Sequence, residues 1–350
     1  LSHNNRLLIV GCGRICKRHT DVLLELQSKF SIEFAGAVDP IYDRRQYYSK
    51  LLNCKSFETV ADAVTNSIFD TAIIMTPSGT HAKIGLSLLN HVSNLIIEKP
   101  LCLSLDEADL LIDRCLKTNT RLFVIKQNRL NPPIQYLKKR VSHGDFGRIS
   151  LATVRVRWCR PQAYYDQDSW RGTWELDGGV LTNQASHHID LLQWLLGDVI
   201  EVAGMTSEPL VNIETEDTAG VLLKFSNGAL GIIEATTTAR PSDIEGSISI
   251  LGERGLIVVG GKAVNRIEVD TLPPIDSYDE FPDDEPTSVY GFGHKGFYEI
   301  FFSSDTTSST LVDGLEGRRS LELIHAIYHS VDKHVFVELN ASPRFLRLGL

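Results

Sequence analysis

The sequence predicts an α/β chain of two parts: a parallel sheet covered by helices, then an α+β part built on a large, mostly antiparallel open sheet. Three observations carry that prediction. From Arg6 to about Gln127, short apolar runs alternate with amphipathic helical stretches, as in strands buried on both faces with helices between them. A glycine-bearing turn, Gly11-Cys12-Gly13-Arg14-Ile15-Cys16, closes the first apolar run. Beyond Pro132-Pro133 the runs lengthen and alternate between apolar and polar residues, as in strands with one wet face.

In chain order, the strands of the first part are Leu7 to Val10, Glu33 to Val38, Thr71 to Met75, Leu95 to Glu98 and Leu122 to Ile125. The helices between them begin after cap-like residues such as Ser78 and Ser104, whose hydroxyls suit the free N–H groups of a helix start. After the prolines comes one helix. The alternating runs then follow: Ile149 to Trp158, Ala219 to Phe225, Ala229 to Thr236, Ile244 to Leu251 and Leu256 to Val259. Turn signals such as Ser226-Asn227-Gly228 and Gly252-Glu253-Arg254-Gly255 separate them. The acidic, proline-bearing stretch Asp270 to Pro286 reads as a loop, and Leu315 to Ser330 as a closing helix. No internal repeat is visible. The expected domains are residues 1–127 and 128–350.

A chain of 350 residues that is 43% hydrophobic and 23% charged has the composition of a globular protein with sizeable cores. The formal net charge of -9 argues against nucleic acid or an anionic membrane as partner, since both need a basic surface. A small anionic substrate stays compatible if arginines are concentrated locally. The six cysteines (Cys12, Cys16, Cys54, Cys102, Cys115, Cys159) lack paired spacing and read as reduced. No apolar run reaches the roughly 18 residues of a membrane span, and Leu1-Ser2-His3-Asn4-Asn5 has no signal-peptide core, so a cytoplasmic location is expected.

The turn at Gly11 and Gly13 lets the backbone approach a pyrophosphate at a helix N-terminus, where free N–H groups and the dipole favour an anion. This is the fingerprint of a Rossmann domain, with Cys16 in the third small position. Asp39, at the end of the second strand, can accept both ribose hydroxyls and repel a 2'-phosphate, which favours NAD. The alternatives are that it caps a helix beside Pro40, and that Arg44 and Arg45 admit NADP. Thr76-Pro77-Ser78-Gly79-Thr80-His81 follows a strand and opens a helix, so it is expected to line the cofactor, with His81 either structural or functional.

Lys99, in Glu98-Lys99-Pro100, ends a buried strand at the sheet edge where open α/β sheets bind ligands. There an ammonium can hydrogen-bond a sugar hydroxyl and stabilise its oxygen as hydride leaves. A surface lysine paired with Glu98 is the bland alternative. In Gly178 to Leu192, read as a helix at about 100° per residue, Asn183, His187 and Asp190 fall within roughly 60° of one another. Ala185, Ile189, Leu192 and Leu196 take the opposite side. His187 can then remove a hydroxyl proton, oriented by a neighbouring carboxylate or amide. A zinc site is the rival, disfavoured because His187 and His188 are adjacent and diverge by about 100°. No metal is expected.

The tract Arg155-Val156-Arg157-Trp158-Cys159-Arg160-Pro161, with Tyr164-Tyr165-Asp166 and Trp170-Arg171-Gly172-Thr173-Trp174, is a candidate anion clamp. In a strand, Arg155 and Arg157 share one face, opposite Val154, Val156 and Trp158. A solvated charged edge is the reading for Arg155. Arg160 and Arg171 are the better clamp candidates.

Taken in order, the glycine turn, Thr76 to His81, Glu98-Lys99-Pro100, Gln127-Asn128-Arg129 and Gly178 to Asp190 resemble the glucose-fructose oxidoreductase and inositol dehydrogenase family. The second half is similar to the UDP-N-acetylglucosaminuronate 3-dehydrogenases of that family. The segments concerned are Arg160 to Asp166, Ser169 to Trp174, Asn183 to His187, and Thr287-Ser288-Val289-Tyr290-Gly291-Phe292-Gly293-His294. The resemblance implies NAD lined by Gly11, Gly13, Arg14, Ile15, Asp39, Thr76, Ser78, His81, Glu98 and Lys99, with Gln127, Trp170 and Arg171 reaching its nicotinamide or pyrophosphate. It also implies a sugar faced by Lys99, Arg160, Tyr164, Tyr165, Asn183 and His187, with Lys99, His187 and Asn183 catalytic and His187 the base. Asn183 stands where many relatives carry aspartate. A nucleotide-sugar substrate, oxidised at its 3'-hydroxyl, and a homodimer or homotetramer built across the open sheet are expected. Some of the subgroup are expected to hold NADH tightly and reoxidise it with α-ketoglutarate. A dehydrogenase of a free sugar or polyol, and a non-catalytic sensor on the same fold, are the alternatives. No function attaches to the tail 341–350.

Overall fold

A computed structural model describes residues 5–274, 291, 293–303 and 311–350. Six parallel strands form the first sheet: β1 Asn5–Val10, β2 Ile32–Val38, β3 Lys55–Phe57, β4 Thr71–Ile74, β5 Asn94–Ile97 and β6 Arg121–Val124, ordered β3-β2-β1-β4-β5-β6. The interleaved helices are α1 Arg14–Leu26, α2 Tyr42–Leu51, α3 Val60–Asn66, α4 His81–Leu88 and α5 Leu105–Thr118. Leu7, Leu8 and Ile9 of β1, Ile73 and Ile74 of β4, and Leu95, Ile96 and Ile97 of β5 are wholly inaccessible to solvent. That two-sided burial is why these strands read as continuous apolar runs. Strand order reverses between β1 and β4, so the crevice for a dinucleotide opens at their carboxyl ends. β3 escapes the sequence pattern because three residues, paired only to Gly36, Ala37 and Val38, carry no periodicity.

The second sheet has eight strands: β7 Ile149–Arg157, β8 Val199–Thr206, β9 Thr218–Phe225, β10 Leu230–Thr236, β11 Glu245–Gly252, β12 Gly255–Gly260, β13 Arg266–Asp270 and β14 Val337–Glu338. Their order is β13-β12-β11-β7-β10-β9-β8-β14, and β7 with β10 is the parallel pair among the described residues. Here α6 Pro132–Ser142, α7 Gln162–Tyr165 and α8 Ser186–Leu196 precede α9 Gly293–Phe302 and α10 Gly314–Lys333. One face of the sheet packs on helices: α8 lies against β7 and β11, and α6 against β12. Ser330 of α10 accepts the Gly204 N–H of β8. On the other face Leu222, Leu230 and Leu251 are exposed. β8, β13 and β14 are additions to the expected strands. Asp270, expected to open a loop, instead ends β13, and residues 275–286 of that stretch lie outside the described residues.

The chain divides into two compact units, Leu1–Ile125 with His294–Arg319, and Lys126–Gly293 with Ser320–Leu350. This corrects the assignment of everything beyond 128 to one domain. Residues 294–319 return to the first unit, where the Val124 N–H donates to the Val312 carbonyl, Arg318 pairs with Asp109, and Tyr298 meets His19. Among the described residues, no helix is long and apolar enough to cross a membrane. The six cysteines are free.

Candidate active site

In the first unit, β1 runs into a turn that only glycine permits. Gly11 has φ +91°, and a Cβ there would sit 2.7 Å from the Met75 carbonyl carbon and oxygen. Gly13, the N-cap of α1, faces open space where a Cβ would project. Arg14 and Ile15 start the helix, and Cys16 is fully buried, so a thiol serves where close helix–sheet packing needs a small residue. Asp39 shows the capping contacts foreseen as its alternative role. Its Oδ2 accepts the Cys12 N–H at 2.8 Å, and its Oδ1 accepts the Ile41 N–H at 2.8 Å, which fixes the glycine turn and starts α2. Arg45 donates to the Asp39 and Pro40 carbonyls and pairs with Glu58, which partly offsets its charge. An open cradle at Gly13 and a carboxylate at the end of β2 fit an NAD molecule.

Thr76 and Ser78 occupy the turn after β4, where Thr80 Oγ1 donates to Thr76 Oγ1 at 2.8 Å. His81, by contrast, is a structural residue. Its ring is buried between the Pro100 carbonyl at 2.8 Å and the Thr76 carbonyl at 2.9 Å, and burial pushes its pKa down. Glu98, expected to line the cofactor, is also tied into a buried cluster. Its Oε1 lies 2.8 Å from His19 Nε2 and 3.8 Å from His294 Nε2, while Oε2 accepts the Lys99 N–H at 2.9 Å. Burial would raise this carboxyl, but the His19 and His294 rings overcome it and hold the pKa well below the usual range. Tyr298 lies 2.6 Å from His19 Nδ1, so an O–H donated there leaves the ring proton on Nε2, facing the carboxylate. His19, Glu98 and His294 are the ligand types of a metal centre. Their close hydrogen bonds already account for His19 and Glu98 without one. Lys99 itself is half-buried at the end of β5.

The second unit carries the remaining candidates. His187 is in α8, and Gln127 Nε2 lies 3.1 Å from its Nε2. Gln127, expected at the cofactor, holds the histidine through its amide, and its buried Oε1 finds no donor among the described residues, which leaves it an acceptor for a cofactor amide. Asn183 is not on the helix, which starts at Ser186. It stands in the preceding turn and donates Nδ2–H to Asp177 Oδ1 at 2.5 Å, while Asp177 Oδ2 accepts the Gly172 N–H. Asp190 also leaves the expected polar face. It is buried in a two-hydrogen-bond pair with Arg129, at 2.7 and 2.8 Å, with Lys126 at 3.5 Å. Burial opposes its ionisation, but Arg129 and Lys126 prevail and lower its pKa. α8 is buried on almost every side, so the amphipathic reading fails because a second polar layer packs on it. His188 is core: edge-on to Trp158 and lowered to about 4 by burial.

Arg160 and Arg171 flank the Tyr164 ring, at 5.3 and 4.6 Å from its centre. Arg171 donates to the Tyr164 hydroxyl at 2.8 Å and stacks on Trp170 at 4.5 Å. Arg160 pairs with Asp243 at 2.8 Å and Arg171 with Asp168 at 3.4 Å, so part of the positive charge is cancelled. Tyr165 is buried, its hydroxyl 3.3 Å from Thr237 Oγ1. Arg155 and Arg157 drop out of the clamp. Both face Glu234 and Glu245 across the sheet, and Arg157 holds Glu234 at 2.6 and 2.9 Å. The tail is tied to the same region: Phe345 packs on Trp174 and Tyr328, and the Gly349 N–H donates to the Trp174 carbonyl at 2.9 Å.

Sequence reasoning missed His19, Tyr298, Asp177 and the Arg129–Asp190 pair. Each acts through a partner distant in the chain or in a turn, where no local period marks it. His294 was visible only as the last residue of a family-like segment, of which Thr287 to Tyr290 and Phe292 lie outside the described residues.

A Rossmann sheet with its glycine turn and carboxylate, followed by an eight-stranded mixed sheet, defines an NAD-dependent oxidoreductase of two units. Residues 5–126 match the oxidoreductase family with an NAD-binding Rossmann fold, and residues 134–258 match the GFO/IDH/MocA C-terminal domain, so the chain belongs to the GFO/IDH/MocA oxidoreductase family. It is 36% identical to the WlbA dehydrogenase of Bordetella pertussis, solved with NADH and UDP-GlcNAcA, over 96% of this chain and 99% of that one, with a TM-score of 0.85. The WlbA dehydrogenase of Chromobacterium violaceum, solved with the same two ligands, is also 36% identical, over 96% of each chain, with a TM-score of 0.85. Among curated relatives, the myo-inositol 2-dehydrogenase of Thermotoga maritima is 24% identical over 258 residues, 72% of this chain and 74% of that protein.

Proposed function

We propose that this protein oxidises the 3'-hydroxyl of UDP-N-acetylglucosaminuronate, or a close relative, to the 3-keto sugar with NAD, in the synthesis of bacterial surface polysaccharide. The observation that carries this reading is the end-to-end similarity, at 36% identity, to two dehydrogenases solved with NADH and UDP-GlcNAcA. Bound NAD supplies the hydride acceptor. His187 removes the hydroxyl proton, and Gln127 sets which ring nitrogen does so. An amide donating N–H to Nε2 puts the ring proton on Nδ1 and occupies the one free lone pair, so the base role calls for the reversed amide, whose oxygen accepts Nε2–H and leaves Nδ1 as base. Lys99 stabilises the hydroxyl oxygen as hydride departs from the carbon that bears it. Asn183, anchored by Asp177, orients the sugar. Arg160, Tyr164 and Arg171 offer guanidinium forks and an aromatic face to the uronate carboxylate or the diphosphate.

A neutral sugar or polyol is the second reading, favoured by the Asp243 and Asp168 partners that temper the arginine charge. The test is NADH absorbance on mixing NAD-loaded protein with UDP-N-acetylglucosaminuronate, with UDP-N-acetylglucosamine and myo-inositol as controls and α-ketoglutarate added afterward. NADH formed with the uronate alone is the expected result. NADH with myo-inositol alone selects the second reading, and silence with all three while NAD still binds points to a sensor.

A further inference from the structure

Glu216 lies just before β9, 6% exposed, under the turn that leads to Asn183 and His187. Four consecutive residues of that turn depend on it. The Glu216 carbonyl accepts the Val180 N–H at 2.9 Å, and Oε1 accepts the Leu181 N–H at 3.0 Å. Oε1 also accepts the Tyr328 hydroxyl at 2.8 Å. The same hydroxyl lies 3.0 Å from Thr182 Oγ1 and accepts the Gly179 N–H at 3.4 Å. A Cβ on Gly179 would overlap the carboxyl group, so the turn is seated directly on it. The turn then closes on itself, the Asn183 N–H donating to the Gly179 carbonyl and the Ala185 N–H to that of Val180.

Oε2 is buried and has no hydrogen-bond partner among the described residues. Burial pushes this carboxyl up to about 7, against the Leu181 N–H and the Tyr328 hydroxyl, which favour the ionised form. The groups around it are Asp217 on its own segment, Tyr328 from α10, and, across a cleft of about 260 Å³, Glu208, Glu214, Asp332 and Arg347. A proton arriving on Oε2 leaves both bonds to Oε1 in place but removes their charge assistance, which is worth roughly half their strength.

We propose that Glu216 is a positioning residue whose ionised carboxylate holds the Gly179–Thr182 turn, and through it Asn183 and His187, in the reactive arrangement, and whose protonation loosens that hold. The inference rests on the catalytic reading of Asn183 and His187. The experiment compares wild type, Glu216→Gln and Tyr328→Phe by chemical denaturation across neutral pH, and by kcat and KM for the uronate over the same range.

The linkage sign follows from a carboxyl raised from 4.5 to about 7 in the folded state. Ionisation then costs folded stability as pH rises between those values. Wild type should therefore lose stability relative to Glu216→Gln over that window. Its kcat should fall as pH drops through about 7 more steeply than that of Glu216→Gln, which keeps only the pH dependence of the base itself. In Tyr328→Phe the loss of the donor should move the inflection upward. Glu216→Ala should lower kcat/KM about tenfold to a hundredfold while NAD affinity is kept. Stability curves that run parallel, with superimposable pH profiles for wild type and Glu216→Gln, overturn the proposal. If wild type does not turn over the uronate, the catalytic reading fails by itself, and denaturation still decides whether Glu216 carries the proton.

Discussion

Asp39 gives each of its oxygens to a backbone N–H, of Cys12 and of Ile41, yet each oxygen keeps acceptor capacity for a ribose hydroxyl. Asp39→Asn keeps one acceptor oxygen and so gives up one of these two N–H bonds, and it is expected to lower the ratio of NADP to NAD dissociation constants, measured by calorimetry; an unchanged ratio would show that preference lies elsewhere. His187 and Lys99 are both expected to act on kcat. His187→Ala should cut kcat by about 10²–10⁴-fold with NAD affinity intact, because it lies outside the nucleotide-binding unit. Lys99→Ala should cut kcat to a similar extent. Retention of more than a tenth of kcat in either variant would remove that residue from the chemistry.

At the scale of elements, two buried ionic clusters lock segments that their own sequences do not join. α9 carries His294 and Tyr298 to Glu98 and His19, which fixes the residue before Lys99 at the end of β5. A carboxyl held below its ordinary value of 4.5 contributes stability that is present above that pH and lost as pH falls through the lower, folded value. Glu98→Gln should thus melt at a lower temperature than wild type at neutral pH, with the gap closing only as pH drops below 4.5. A gap that is constant with pH would mean that packing alone is at stake. In the second unit, Asp190 ties α8 to Arg129 and Lys126. Asp190→Ala leaves two cations buried without their counter-charge, and urea denaturation should read a loss of about 3–5 kcal/mol.

At the scale of the whole molecule, the face of the second sheet that no described helix covers sets the expected assembly. By register, Leu222, Ile232, Thr153, Ser249 and Val258 form one row across five strands, with Leu230, Leu151, Leu251 and Leu256 in the next. Ion pairs of Arg155 and Arg157 with Glu234 and Glu245 border them. An apolar strip of this kind suits a self-complementary, two-fold contact. Light scattering should find a dimer or tetramer, and Leu222→Glu with Leu230→Glu should yield a smaller species; wild-type monomer at micromolar concentration would sink the expectation. The sequence alone determined the helix-covered parallel sheet, the alternating second sheet, the glycine turn at Gly11 and the candidacy of Asp39, Lys99 and His187, because periodicity, turn chemistry and strand-end position are local properties. Only the tertiary structure decided that residues 294–319 return to the first unit, that Asp190 and Glu98 belong to buried clusters, that Arg155 and Arg157 answer glutamates across the sheet, and that Glu216 underlies the turn before Asn183. Those outcomes turn on which distant polar groups meet once water is excluded, and burial makes each such pairing obligatory without leaving a mark in the local pattern of residues.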